Sequence, residues 1–248
     1  MTSPAAWPLG YARLHFETID STNAEARRRA AAGQREPVWI SADTQTAGRG
    51  RRGRTWVSPK GNIAATLLIA PGRPLAACAQ LSFVAALAAS DALARMAPSA
   101  EFKVKWPNDV LANGRKIAGI LLESASAGSA PEWLAIGIGI NLATHPPDTE
   151  FPATSLAALG QCPPAAGTAL SELAAAFAKW YDIWAAQGFA PIRDAWLARA
   201  AFLGRRIRAR LEREEAHGVF EGIDETGALI LRETADRVRT ILAGEVFF

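Results

Sequence analysis

Gly48-Arg49-Gly50-Arg51-Arg52-Gly53-Arg54, followed by Thr55-Trp56-Val57-Ser58-Pro59, is the stretch on which the reading of this chain turns. Glycines 48, 50 and 53 satisfy G-x-G-x-x-G, and the run Val38-Trp39-Ile40-Ser41-Ala42 before them reads as a buried strand, so a dinucleotide-binding α/β fold is the first candidate. That fold needs a helix to open where the glycines end, so that its N-terminus receives a pyrophosphate. Here Pro59 and the apolar run from Ile63 to Ala70, closed by Pro71-Gly72, give a second strand instead. Kinase-type and Walker-type loops fail too, since the chain has no H-R-D, D-F-G or G-K-[ST] element. What remains is an anion-binding loop between two strands: glycines expose backbone N–H groups, and each arginine adds a planar fork of donors that fits carboxylate or phosphate oxygens. The alternative is a solvated surface turn.

Working outward, 248 residues that are half hydrophobic and one-fifth charged make one large core with a small second domain, not a disordered chain. The net charge of +3 would suit nucleic acid, but only five of the 27 basic residues are lysine and the arginines are scattered. A compositional preference for arginine explains that balance, and no nucleic-acid partner is expected. Cys78 and Cys162 have no CxxC or Cys/His spacing, so neither a disulfide framework nor a zinc site is indicated, and no residue is assigned to a metal. Residues 1–11 lack the features of a signal peptide and no uninterrupted apolar run approaches membrane-spanning length. A cytoplasmic protein without a membrane partner is the expectation.

The segment Asn23 to Ala32 reads as a helix with Thr22 as cap, Glu25 at the reciprocal capping-box position and Gly33 as stop. Cys78 to Met96 follows helical spacing and forms a core helix closed by Pro98. Phe102 to Trp106 and Lys116 to Glu123 read as strands, with Asn113-Gly114 between them as a strong hairpin signal. Leu134 to Leu142 is another strand, in which Gly137 and Gly139 permit close approach. Helices follow over Leu170 to Gln187 and Pro191 to Ala200. From Leu203 the pattern changes to short β-like stretches, Arg206 to Leu211, Val219 to Ile223, Ala228 to Arg232 and Arg237 to Leu242, with a turn at Asp224-Glu225-Thr226-Gly227. These divide the chain into 1–202 and a small all-β domain, 203–248.

Several short motifs bear on chemistry only in combination. Lys105-Trp106-Pro107-Asn108-Asp109 ends one strand, and the hairpin brings Lys116 and Gly119 back past Asp109. A lysine beside an aspartate is more often a surface pair than a catalytic one. Ser21-Thr22-Asn23 is what any helix start wants, and the glycine strand has a packing explanation. Taken in order, S-T-N (21–23), Q-T-A-G-R-G-R-R-G-R-T-W (45–56), K-W-P-N-D (105–109) followed by G-R-K-I-A-G-I-L-L-E (114–123), G-I-G-I-N (137–141) and F-P-A-T-S-L (151–156) resemble the biotin protein ligases over nearly the whole chain.

The resemblance implies an α+β fold: a central mixed β-sheet flanked by helices, of the class II aminoacyl-tRNA synthetase and biotin ligase kind, with a small C-terminal SH3-like β-barrel. It implies activation of biotin by Mg-ATP (biotin, ATP and Mg2+) to biotinyl-5′-AMP, then transfer to a lysine of a biotin carboxyl carrier protein domain of acetyl-CoA carboxylase or a related carboxylase. Arg49, Gly50 and Arg51 match biotin and adenylate contacts, Gln45 a biotin-pocket residue, and Ser21, Thr22 and Asn23 the segment that hydrogen-bonds the biotin ring. Lys116 matches the lysine on the biotin carboxylate. Lys105 and Asp109 rank next as catalytic residues, with Asp109 as orienter or proton acceptor; Gly119 and Asn141 border the site.

Only about twenty residues precede Ser21, too few for the helix-turn-helix of repressor members, so a ligase without operator binding is expected; a homodimer is left open. Two rivals remain. A lipoate or octanoate ligase would share the fold, although those families lack the G-R-G-R-R-G arrangement. A non-catalytic biotin sensor or RNA-binding module would use the basic loop without chemistry.

Overall fold

A strand buried along its whole length, Ile63–Ile69 (β3), sets up the architecture of the computed structural model, which describes residues 5–126 and 130–247. Alternation sends Ile63, Ala65, Leu67 and Ile69 into the main core, while Leu68 joins a smaller cluster with Ala26 and Ala30. The sheet is therefore covered on both faces. Seven strands lie in the order β1-β2-β3-β7-β6-β5-β4: β1 (Ala12–Ile19), β2 (Val38–Gln45), β3, β4 (Phe102–Lys105), β5 (Asp109–Ala112), β6 (Arg115–Ser126) and β7 (Pro131–Ile140). Only the β1–β2 pair is parallel, so the sheet is mixed. Helix α1 (Thr22–Ala31) packs with the smaller cluster, and α3 (Leu81–Met96), α4 (Ala166–Gln187) and α5 (Ala190–Leu197) with the main core.

Several local expectations are corrected. Ser21, not Thr22, caps α1, and Glu25 turns to Arg28 and Arg29 instead of closing a capping box. The hairpin at Asn113-Gly114, both at positive φ as a primed turn requires, joins β6 to a further short strand, β5. The core helix begins as α2 (Leu75–Ala79) and breaks at Gln80 before α3. Together Leu75–Met96 is long and apolar enough, by length and composition alone, to cross a membrane, although Gln80, Ser82, Ser90, Asp91 and Arg95 interrupt its apolar run; most of it is buried.

Past residue 202, five antiparallel strands take the order β11-β10-β9-β8-β12: β8 (Arg206–Arg210), β9 (Glu215–Ile223), β10 (Leu229–Thr234), β11 (Arg237–Ile241) and β12 (Glu245–Phe247). Among the described residues no β11–β12 ladder closes the barrel. This sheet is fastened to the first by buried rings: Trp196 meets Phe83 and Phe220 edge-on, and Trp106 Nε1 donates to Gly227 O at 3.0 Å. Its last strand thereby reaches the same cavity as β5 and β6.

Candidate active site

The start of α1 supplies a row of buried polar groups. Ser21 Oγ accepts from the Ala24 N–H, while the Thr22 N–H and hydroxyl both reach Gln45 Oε1, at 2.8 and 3.0 Å. Thr66, fully buried on β3, donates to Asn23 Oδ1 at 2.6 Å and lies 2.8 Å from Thr22 Oγ1. Asn23 Nδ2 donates to Glu123 Oε2 at 2.7 Å. Glycine at 137 makes room for this, since a Cβ there would collide with the Asn23 amide. Helix capping and a hydrogen-bonding wall thus coexist in the same three residues.

Across the cavity, β4, β5 and β6 assemble a charge cluster. The β5–β6 register puts Asp109 opposite Gly119, and the missing side chain leaves the space that the Lys116 ammonium enters. Lys116 Nζ is 2.6 Å from Asp109 Oδ1, and Lys105 Nζ is 3.5 Å from Oδ2. Burial pushes the Asp109 carboxyl up, but Lys116 and Lys105 pull harder, leaving it below the usual carboxylate range. Lys105 lies over the Phe151 ring, 4.4 Å from its centroid. Burial holds its ammonium below the ordinary lysine value, against the pull of Asp109.

The arginine loop forms a tight hairpin between these two sides. Arg49 and Thr55 bridge in antiparallel fashion, and Gly50 N–H donates to Arg54 O at 2.7 Å. Arg52 and Gly53 take the left-handed conformation, φ 55° and 72°, at the tip. Arg49 Nη2 stands 3.3 Å from both Glu123 oxygens, Arg51 Nη1 3.3 Å from Asn108 Oδ1 and from Gly244 O, and Arg54 pairs with Glu245. Arg52 makes no ion pair among the described residues. Trp56 follows, its indole seated where a Cβ at Gly139 would be, with Lys116 Nζ 5.7 Å from the centre of its ring.

All twelve residues singled out from the sequence, Ser21, Thr22, Asn23, Gln45, Arg49, Gly50, Arg51, Lys105, Asp109, Lys116, Gly119 and Asn141, line one cavity of about 440 Å3, within the range that holds small ligands. Asn141 acts there as a clip: its amide donates to Thr154 O at 3.0 Å, holding the 152–155 segment that bonds the Lys116 backbone. The close approach expected at Gly137 and Gly139 is made by Asn23 and Trp56. Thr66, Trp56, Asn108, Glu123, Glu245 and Phe247 were not singled out. For Thr66 a signal existed, a polar residue within an otherwise apolar strand, whereas Glu123 only closes the apolar run Ile117–Leu122. Both cysteines are free. Among the described residues no cluster of three or more His, Cys, Asp or Glu side chains could hold a metal ion.

A mixed sheet that gathers a hydrogen-bonding wall, an ammonium–carboxylate cluster and an arginine loop into one cavity defines an enzyme that activates a carboxylic acid. The chain belongs to the biotin/lipoate A/B protein ligase family, whose model matches residues 15–141, and residues 202–248 match the biotin protein ligase C-terminal domain. Within the family it is similar to the biotin–[acetyl-CoA-carboxylase] ligase of Paracoccus denitrificans, 51% identical over 236 residues that cover 92% of this chain and 97% of the relative. It is also similar to the bifunctional ligase/repressor BirA of Bacillus subtilis, 34% identical over 96% of this chain and 74% of the relative. The structure of the Aquifex aeolicus biotin protein ligase in complex with biotin and ATP superposes with a TM-score of 0.81 at 26% identity, covering 95% of this chain and 97% of that one.

Proposed function

We infer that the chain is an ATP-dependent biotin–protein ligase. A biotin carboxylate oxygen attacks the α-phosphorus of ATP, pyrophosphate leaves, and biotinyl-5′-adenylate forms. A carrier lysine amine then attacks the acyl carbon and AMP leaves. The observation that carries this reading is the convergence of the polar wall, the Lys116–Asp109–Lys105 cluster and the arginine loop on one cavity. The first step brings two anions together, and fixed cations in a partly dry site lower that repulsion most as charge builds on the α-phosphate.

On this reading Ser21, Thr22, Asn23 and Gln45 take the ureido ring, which needs both donors and acceptors. Lys116 takes the biotin carboxylate and then the acyl-phosphate oxygens, and Arg49, Gly50 and Arg51 take the phosphate side. Lys105 balances Asp109 from behind, and Gly119 and Asn141 shape and clip the lysine's surroundings. The incoming lysine has a free pKa of about 10.4 and must shed protons to form an amide. Asp109, kept ionised below its usual range by two ammonium groups, is a poor acceptor for them and serves as the orienter of Lys116. Mg2+ arrives as part of the Mg-ATP substrate, since such ions are ordinarily carried by phosphates with one or two carboxylates.

The acceptor is a carrier domain of acetyl-CoA carboxylase, the enzyme named in the Paracoccus relative. The division near residue 202 separates the cavity-bearing sheet from a C-terminal domain that lends Gly244 and Glu245 to the loop. Biotin-dependent exchange of labelled pyrophosphate into ATP, followed by transfer onto a carrier domain, tests the proposal. Exchange with lipoate and none with biotin would move the chain to the lipoate side of the family; no exchange with either would overturn it.

A further inference from the structure

Among the described residues Glu123 is the one carboxylate that touches both the polar wall and the arginine loop: its Oε2 accepts from Asn23 Nδ2 at 2.7 Å, and both its oxygens lie 3.3 Å from Arg49 Nη2. An ionised carboxylate only accepts hydrogen bonds, so the Asn23 amide nitrogen must face it. Asn23 Oδ1 is then turned to Thr66, whose single hydroxyl hydrogen is committed to it at 2.6 Å. Thr66 is left as an acceptor 2.8 Å from Thr22 Oγ1, whose own hydrogen is shared between Thr66 and Gln45 Oε1 at 3.0 Å. The donor and acceptor sense of the Asn23–Thr66 pair is therefore set from one end.

We propose that Glu123 is a positioning residue of the ligand site, fixing which atoms of Asn23 and Thr66 donate and which accept, and docking the arginine loop on that row through Arg49. The proposal rests on the reading above, in which this wall receives the biotin ring. A neutral amide at 123 presents either an acceptor or a donor to Asn23. The row then loses its single orientation and Arg49 its counter-ion.

The test is pyrophosphate exchange by the full chain and by E123Q, N23D and the double variant, with biotin varied at saturating ATP and the reverse. Each single variant is expected to raise the biotin KM by about tenfold or more, equivalent to about 1.4 kcal/mol; the ATP KM stays within about twofold in N23D, which keeps the Arg49–Glu123 pair, and shifts less than the biotin KM in E123Q, which frees Arg49. N23D sets two carboxylates against each other. In the double variant the amide introduced at 123 donates to the carboxylate introduced at 23, which still accepts from Thr66, so most of the biotin affinity returns. A merely structural role would move both KM values together in both single variants and give no recovery. The proposal is overturned by a biotin KM in E123Q within about twofold of the unaltered chain, or by a double variant no better than the worse single. An inactive unaltered chain would instead remove the proposed function itself.

Discussion

Replacing Lys116 by alanine separates chemistry from folding more cleanly than any other change in the cavity. Its ammonium is 2.6 Å from Asp109 and remains about a quarter exposed, open to the cavity. If it carries charge that grows on the carboxylate and acyl-phosphate oxygens, its removal should slow adenylate formation by about 10²–10³-fold, about 2.7–4 kcal/mol, as for a lost oxyanion donor. The cost in stability is smaller, because Asp109 keeps Lys105 at 3.5 Å. Breaking a fully buried pair costs about 3–5 kcal/mol and an exposed pair under about 1, which puts K116A at about 1–2 kcal/mol. Rapid-quench single-turnover formation of the adenylate, with thermal unfolding of the same preparation, reads both quantities. A rate within about threefold of the unaltered chain would remove Lys116 from the chemistry. A loss of biotin affinity with the rate at saturating biotin unchanged would confine it to uniform, ground-state binding.

The folded-state pKa of Asp109 lies below its ordinary value, so its contribution to stability is full above the unfolded value of about 3.9 and is lost as pH falls from there through the folded value. Urea unfolding of D109N should give lower stability at pH 7 and a flatter decline in acid; parallel profiles would refute the coupling. Gly139→Ala drives a Cβ into the Trp56 indole, so about 1–3 kcal/mol of overpacking should appear in thermal unfolding, with a shifted tryptophan emission; an unchanged midpoint would mean that the ring is not seated there. Arg51→Ala should shorten the lifetime of bound adenylate more than Arg52→Ala does, measured by isotope chase, and equal lifetimes would mean that Arg51 is not the guanidinium on which the anion rests.

The mixed sheet was legible wherever strands are continuously apolar, as in Ile63–Ile69, or punctuated by a turn such as Asn113-Gly114. It was not legible in Ala12–Ile19, an edge strand with an exposed, interrupted pattern, or in Asp109–Ala112 and Glu245–Phe247, which are too short to show a period. The charged part of the site could be read because Lys116 and Asp109 are joined by a local hairpin. Glu123 and Glu245 escaped notice because they meet the loop across about seventy and about two hundred residues of chain, a separation set only by tertiary packing. The Ser21 segment was legible as a cap, but its depth in the cavity depends on Thr66 and Gly137, on two other strands.

The four arginines are not equivalent, and their partners rank them. Arg49 and Arg54 each face a carboxylate, Glu123 and Glu245, so an incoming anion exchanges one charge partner for another. The half-exposed Arg49 pair is worth about 1 kcal/mol or less, which makes that exchange easy. Arg52 is exposed at the tip and gains little from an anion that water already screens. Arg51 differs from all three: among the described residues its hydrogen-bond acceptors are the neutral oxygens of Asn108 and Gly244. Burial pulls its guanidinium below the ordinary arginine value, Asp109 opposes that, and Arg52 and Arg54 reinforce it. A partly desolvated cation with neutral partners gains most when an anion arrives. The loop is therefore held closed by its outer arginines and left electrostatically incomplete at Arg51, the place where, on the proposed function, the phosphate of an acyl-adenylate would complete it.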